Sequence, residues 1–549
     1  MGLIHYLCSQ RNLVLIVCQY VFIVPDVDRM LSELVIGFTM VIILNFGSQF
    51  AHLIARRVRD LGVKAEILPF DTPASQIQKH NPAGIILSGG PASVLEKGSP
   101  RPDKGIFKLD IPVLGICYGH QVMAHMLGGK VVKGKHREFG KEILSIKDKK
   151  GIFQALSSRE VVWFSHGDQV SVLPKGCKRT ASTVGCTYAA FADLKNDFYG
   201  IQFHPEVTHT QHGKELLKNF LFSTCKAKKE WKISSVTENI IAEIKSEVED
   251  KHIVVGISGG VDSLVAATLI HQAIGNRLHA VFVDTGFLRK GEVEQVASYL
   301  RKNGFKQLHV VDASKLFLKR LKSISDPEQK RKIIGYSFIE VFERAIKNEL
   351  KKHAIAYLAQ GTIYPDRIES ASTSKTAAKI KSHHNLTLPE KMGFKILEPI
   401  KDLYKDEVRR VGLTLGLPRE LLWRHPFPGP GLAVRIVGEI TEERLQILRE
   451  ADAVFIEELR KAGEYEKIWQ AFAALLPVKV VGVMGDGRTY EYVIALRAVD
   501  SIDGMSADWH KIPNELLEKI SSAIIGKVRG VNRVLYDITQ KPPATIEYE

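Results

Sequence analysis

Short apolar, β-branched runs alternate with longer segments of helical periodicity along most of the chain. Val41–Leu44, Ala65–Leu68, Gly84–Leu87 and Pro112–Ile116 read as buried strands, with a turn at Gly47-Ser48-Gln49 and a helix over Ala51–Leu61. A charged stretch, Lys226–Lys232, reads as a linker, and a helix over Val236–Glu249 follows it. The alternation then resumes with strands at Ile253–Ile257, Ala280–Asp284, Leu308–Asp312 and Ala356–Thr362. Alternating strand and helix predicts parallel sheets with helices on their faces. Asp284 and Asp312 close two of these strands, either at the ligand-binding carboxyl edge of a sheet or as helix N-caps. The run His-Pro-Phe-Pro-Gly-Pro-Gly-Leu at 425–432 breaks the helical pattern and marks a boundary. Beyond it, helices over Thr441–Leu459 and Asn514–Ile525 flank strands at Lys479–Met484 and Glu491–Ala498, a small α+β module.

The expected fold is therefore α/β, with two parallel-sheet domains and a C-terminal α+β domain. The expected boundaries are 40–228, 229–424 and 425–549, after an extension at 1–39. That extension does not resemble the rest. Leu13–Val24 is nearly all apolar, but Gln19 interrupts it, and it is too short to span a bilayer. Arg11 precedes the run, yet Pro25-Asp26-Val27-Asp28-Arg29 follows it instead of a small-residue cleavage site. Met40 directly precedes the first clean strand and is the expected functional start.

Length and composition narrow the picture further. At 549 residues, the chain has room for three or four domains of roughly 150 residues each. The net charge is +15, which would suit nucleic acid, but Lys and Arg are spread along the chain and no aromatic-interleaved basic patch appears. Anionic small substrates account for the charge without a nucleic-acid partner. Six scattered cysteines and no C-x-x-C pair exclude a disulfide framework and fit a reducing cytoplasm.

The strand Ile253–Ile257 runs into Ser258-Gly259-Gly260-Val261-Asp262-Ser263, and Leu264–Ile270 continues as a buried helix. Two glycines between small hydroxyl residues let the backbone approach a ligand, and a helix N-terminus favours an anion. There is no Lys-Ser/Thr pair for a Walker A loop and no third glycine for a dinucleotide fingerprint. A carboxylate within a phosphate cradle makes sense with Mg²⁺ between them, so Asp262 is the candidate metal ligand. The string resembles the pyrophosphate loop of the ATP pyrophosphatase family, which implies cleavage of ATP between its α- and β-phosphates.

Cys117 lies in Gly115-Ile116-Cys117-Tyr118-Gly119-His120-Gln121, small residues flanking a cysteine between strand and helix, which describes a nucleophile elbow. A helix N-terminus lowers a thiol pKa. The N–H of Tyr118, with Gly89 or Gly90, can form an oxyanion hole. In His204-Pro205-Glu206, the histidine can act as base and the glutamate can orient its ring. These features resemble a class I glutamine amidotransferase over about residues 41–225, with Cys117, His204 and Glu206 matching its triad. Ser165-His166-Gly167-Asp168 resembles the family's motif near the glutamine site, where Gln121 also belongs. Asn45 stands where related synthetases carry Asp, with no functional cost expected.

A glutaminase joined to a pyrophosphatase loop places glutamine nitrogen on an ATP-activated carbon. Gln360–Ser370, IKSHHN at 380–385, GDGRTY at 485–490 and the tail KPPATIEYE narrow the acceptor. With HPFPGPGL they resemble the glutamine-hydrolysing GMP synthetase family over about 41–549. The rival is another pyrophosphatase-loop amidotransferase resembling NAD synthetase, which would lack the C-terminal module. The resemblance implies ATP, XMP and glutamine as substrates, Mg²⁺ as cofactor, an adenyl-XMP intermediate, and a homodimer formed through the C-terminal module. It implies ATP contacts from Ser258 to Leu264 and at Gly361, and XMP contacts from Arg289, Asp366, Lys381, Lys541, Thr545 and Glu547. The sequence departs from the family at Leu264, at Leu386-Thr387-Leu388 in place of a glycine-bearing lid, and at Tyr548 in place of Trp. The polar stretch Lys379–Asn385 is the expected lid over phosphate; its pair His383-His384 has no third ligand near it for zinc.

Overall fold

In the computed structural model the described residues are 39–48, 50–350, 353–367, 393–484, 487–501, 504 and 506–549, with backbone alone at 5–9, 12–17 and 20–25. The expected lid, including Lys381, and residues 368–370 lie outside them. The chain divides into two compact units, Met1–Lys232 and Ile233–Glu549.

The first unit opens with an antiparallel sheet of β1 (His5–Ser9), β2 (Asn12–Val17) and β3 (Tyr20–Pro25). Its main sheet has nine strands: β4 (Met40–Asn45), β5 (Lys64–Pro69), β6 (Gly84–Leu87), β7 (Val113–Ile116), β8 (Lys130–Ile146), β9 (Arg159–Val172), β10 (Lys178–Ser182), β11 (Ala190–Asp193) and β12 (Phe198–Ile201). Their spatial order is β5-β4-β6-β7-β12-β11-β10-β8-β9. The half from β5 to β12 is parallel and the remainder antiparallel. Strands β6, β7 and β12 are buried throughout, as parallel strands covered on both faces must be. Ile42, Leu44, Ile85, Leu87 and Val113 join Val122 and Met123 of the helix Tyr118–Met126 in one core.

In the second unit, β13 (His252–Ile257), β14 (Leu278–Asp284), β15 (Leu308–Asp312), β16 (Ile355–Ala359) and β17 (Lys395–Leu397) form an all-parallel sheet ordered β15-β14-β13-β16-β17. The chain grows one way from β13 to β15, then returns to the other side of β13 for β16. That reversal makes the carboxyl ends of β13 and β16 a topological switch point, where open α/β sheets bind ligands. A second sheet of β18 (Gln470–Met484), β19 (Gly487–Asp500), β20 (Asp508–Trp509) and β21 (Val531–Tyr536) packs with the helices Glu442–Lys461 and Asn514–Lys527. One hydrophobic core draws on residues from Val254 to Val531. Thr441 caps the helix after it, its side chain accepting from Arg444 N at 3.2 Å. Asp312 Oδ1 accepts from Ser314 N at 2.9 Å, one residue before the N-cap Ala313 of the helix Ser314–Leu321.

Candidate active site

Cys117 sits between β7 and the helix Tyr118–Met126 with φ 52° and ψ −106°, a left-handed conformation that costs a non-glycine residue free energy. The flanking glycines make the turn possible. A Cβ on Gly119 would lie 2.2 Å from Leu87 O, and one on Gly115 would lie 2.5 Å from Gly119 O. The thiol is buried and approaches Ser165 O at 3.6 Å. Tyr118 N–H is the first of the helix and has no intrahelical acceptor. Gly89 stands on the other side: a Cβ there would lie 3.6 Å from Cys117 Cβ and 3.2 Å from His204 Cε1. Gly90 is pressed against Phe46 O, which a Cβ would meet at 2.7 Å.

His204 Nδ1 lies 2.7 Å from Glu206 Oε1, and both side chains are buried. Burial by itself disfavours the imidazolium. Glu206 and the Cys117 thiol outweigh it and raise the His204 pKa to about 10. Cys117, His204 and Glu206 thus lie together, and Phe50 leans over the imidazole at 5.0 Å.

Gln121 Nε2 donates to Asp168 O at 2.7 Å and to Gln202 Oε1 at 3.1 Å. His166 Nδ1 lies 2.9 Å from the same Asp168 carbonyl, which can only accept, so Nδ1 carries the proton. His166 Nε2 is 2.9 Å from Glu138 Oε2. Burial pushes the His166 pKa down to about 4, and burial raises the Glu138 carboxyl above its ordinary value. Gln202 and Glu138 escaped sequence reasoning, because neither lies in a recognisable spacing.

In the second unit, Ser258–Gly260 links β13 to the helix Val261–Ile274. Gly259 has φ +78°, and Ser258 Oγ takes the Gly260 N–H at 3.3 Å and meets Ser263 Oγ at 3.1 Å. Gly361, after β16, closes on this loop: a Cβ there would lie 3.0 Å from Ser263 N and 3.1 Å from Asp262 C. Val261 and Leu264 are buried beneath it. Asp262 Oδ2 accepts from Lys405 Nζ at 2.5 Å, while Oδ1 is buried without a hydrogen-bond partner. That unsatisfied carboxylate oxygen fits a hard cation such as Mg²⁺. Arg424 holds the back of the loop, with Nη1 2.9 Å from Glu292 Oε1. Neither Lys405 nor Arg424 carried a sequence signal, since each reaches the loop from more than a hundred residues away.

The residues expected to meet XMP do not offer bare charges. Arg289 Nε lies 3.0 Å from Asp452 Oδ2, and its Nη2 donates to Ala471 O at 3.0 Å. Glu547 takes two bonds from Arg435, each 3.0 Å, and one from Gln470 at 2.6 Å. Lys541 Nζ donates to Gly504 O at 2.7 Å, and Thr545 Oγ1 to Glu547 O at 2.5 Å. Asp366 Oδ2 accepts from Ile363 N at 3.3 Å. The tail itself is docked. Buried Arg497 donates to the carbonyls of Thr539, Thr545 and Ile546, and Tyr548 packs edge-on against Phe472.

Fold and geometry together describe a class I glutamine amidotransferase joined to an ATP-pyrophosphatase-type domain. Family models match in the same order: glutamine amidotransferase class-I over residues 42–224, NAD synthase over 233–330 and GMP synthase C-terminal domain over 457–548. A glutamine-hydrolyzing GMP synthase of Aquifex aeolicus is 54% identical over 510 residues, which cover 93% of this chain and 99% of that protein. Those of Carboxydothermus hydrogenoformans and Nitratidesulfovibrio vulgaris are 55% and 52% identical, again over 93% of this chain and 99% of theirs. The chain belongs to the glutamine-hydrolyzing GMP synthase family. Among the described residues, no helix is long and apolar enough to cross a membrane.

Proposed function

We propose that this chain aminates XMP to GMP with ammonia from glutamine, the first unit making the ammonia and the second activating XMP with ATP. Cys117 Sγ attacks the glutamine amide carbon. The oxyanion that forms is met by Tyr118 N–H and the N–H of Gly89 or Gly90. His204 gives its proton to the departing ammonia, leaving a thioester that water, deprotonated by His204, hydrolyses to glutamate. Glu206 holds the ring and its charge. Gln121, His166 and Asp168 shape the glutamine pocket.

At the second centre, the amides and hydroxyls of Ser258–Ser263, with Gly361 alongside, hold the phosphates of ATP. Asp262 would hold Mg²⁺, which neutralises phosphate charge. O2 of XMP attacks the α-phosphorus and pyrophosphate leaves; ammonia then adds at C2 and AMP departs. Lys541 and Thr545, with Asp366, Lys381, Arg289 and Glu547, make up the XMP side. We take residues 425–549 as the acceptor and dimer module, supported by exposed Val481, Val483 and Tyr490 on its sheet. A reducing cytoplasm suits the free thiol chemistry.

The observation that carries this reading is the left-handed Cys117 backbone beside the His204–Glu206 pair. The test is Cys117→Ala. Glutamine-dependent GMP synthesis should vanish while synthesis from ammonium salts at high pH persists. Failure of ammonium to restore GMP formation would overturn the division of labour.

A further inference from the structure

Along the sheet edge opposite the pyrophosphate loop, three imidazoles meet. His252 is the first residue of β13, His279 the second of β14, and His353 stands just before β16. Because β14, β13 and β16 are parallel neighbours, the starts of all three strands fall side by side. One nitrogen from each ring lies within 4.8 Å of one from each of the others. His252 Nδ1 and His279 Nε2 are 3.0 Å apart, and the ring centroids are separated by 5.2, 4.9 and 4.6 Å. His279 is fully buried, whereas His252 and His353 are partly exposed, so the cluster has an imidazole floor and an open mouth.

We propose that His252, His279 and His353 form a binding site for a borderline-soft transition-metal dication, zinc(II) by preference. Three imidazoles are the donor set of many zinc centres, and they suit zinc, cobalt, nickel and copper far better than magnesium. Nitrogens within 4.8 Å of one another can converge on one ion at about 2.0–2.1 Å each with small ring movements. A strand start buried among Ile253, Leu278 and Ile355 calls for apolar side chains, and packing alone does not ask for an imidazole there. The site is separate from the ATP centre. Five residues of extended β13 lie between His252 and Ser258, a separation of about 20 Å. An ion here would tie three strands together and stabilise the sheet in proportion to its occupancy. The proposal stands independently of the assignment of XMP contacts.

Full-length protein, stripped with chelator, is titrated with Co²⁺ and then Zn²⁺. One Co²⁺ per chain should bind with tetrahedral d–d absorption and no thiolate charge-transfer band, and Zn²⁺ should displace it. Zn²⁺ should raise the Tm of the wild type. His353→Gln and His252→Gln should lose the cobalt spectrum and the Tm shift, while His271→Gln, whose ring stacks on Phe305 elsewhere, keeps both. Ammonium-dependent GMP synthesis by the variants reports that the sheet is folded. If they fail to fold, Cu²⁺ EPR of the wild type decides: superhyperfine coupling to three nitrogens supports the site, and its absence overturns it. An identical spectrum in wild type and folded His353→Gln overturns the proposal. So does a thiolate band that disappears in Cys186→Ser, which would place the ion at Glu138, His166 and Cys186 instead.

Discussion

Replacing Glu206 by Gln keeps the shape of the side chain and an acceptor for His204 Nδ1–H but removes the charge that faces it at 2.7 Å. Both groups are buried, so little solvent screens the loss. Burial then opposes the imidazolium with only Cys117 left against it, so the His204 pKa should fall from about 10. The imidazolium beside Cys117 is then less favoured at neutral pH. A charge-assisted hydrogen bond contributes about 1.5–3 kcal/mol. Glutamate release should therefore slow about 10- to 150-fold, at 1.36 kcal/mol per decade. Stability follows the same proton. A raised folded-state pKa gives stability that is complete below about pH 6.5 and is lost as pH rises toward 10. The wild type should lose stability over that window, and Glu206→Gln should show a flatter profile. The assays are glutamate release with pH, iodoacetamide labelling of Cys117 with pH, and urea unfolding of the full chain at pH 6 and 9. Ammonium-dependent GMP synthesis should stay within twofold of wild type. Glutamate release unchanged in Glu206→Gln, with the labelling profile unmoved, would refute the role given to this carboxylate.

Asp262→Asn should abolish GMP formation from both glutamine and ammonium, because each route needs the activated nucleotide; near-normal pyrophosphate release would remove the metal role from this residue. Lys541→Gln should raise the XMP midpoint of pyrophosphate release at least about tenfold, roughly 1.4 kcal/mol, with little change in Tm, since the ammonium group meets a carbonyl rather than a carboxylate. An unmoved midpoint would make Lys541 a structural residue of the tail. Glu547→Gln should instead destabilise the second unit by about 3 kcal/mol, because it strands the fully buried Arg435 guanidinium. Urea unfolding distinguishes the two variants, and an unchanged midpoint in Glu547→Gln would show that Arg435 finds another partner.

Much of the parallel-sheet half of each unit was legible from periodicity. A parallel strand covered on both faces has to be apolar throughout, and Val41–Leu44, Gly84–Leu87 and Ile253–Ile257 are. One helix start was legible too, because Thr441 offers a short polar side chain that caps the helix Glu442–Lys461. Strand ends were less so. The long hairpin of β18 and β19 begins at Gln470, well before the expected Lys479, because the alanine-rich segment Ala471–Ala474 carries no β-branched signal and is held by burial and ladder bonds.

Local chemistry is where sequence speaks most directly. The steric demand for glycine at 115 and 119, and the Ser-Gly-Gly turn before Asp262, are properties of a few consecutive residues. They can be recognised before folding, and with them the family. Partnerships across the chain belong to the tertiary structure alone. Lys405 reaching Asp262, Arg424 bracing Gly259 through Glu292, and Arg435 neutralising Glu547 each join residues whose spacing has no period. The same holds for the three histidines at the starts of β13, β14 and β16. They lie 27 and 74 residues apart in sequence (279 − 252 and 353 − 279), and only the order of the parallel strands makes them neighbours.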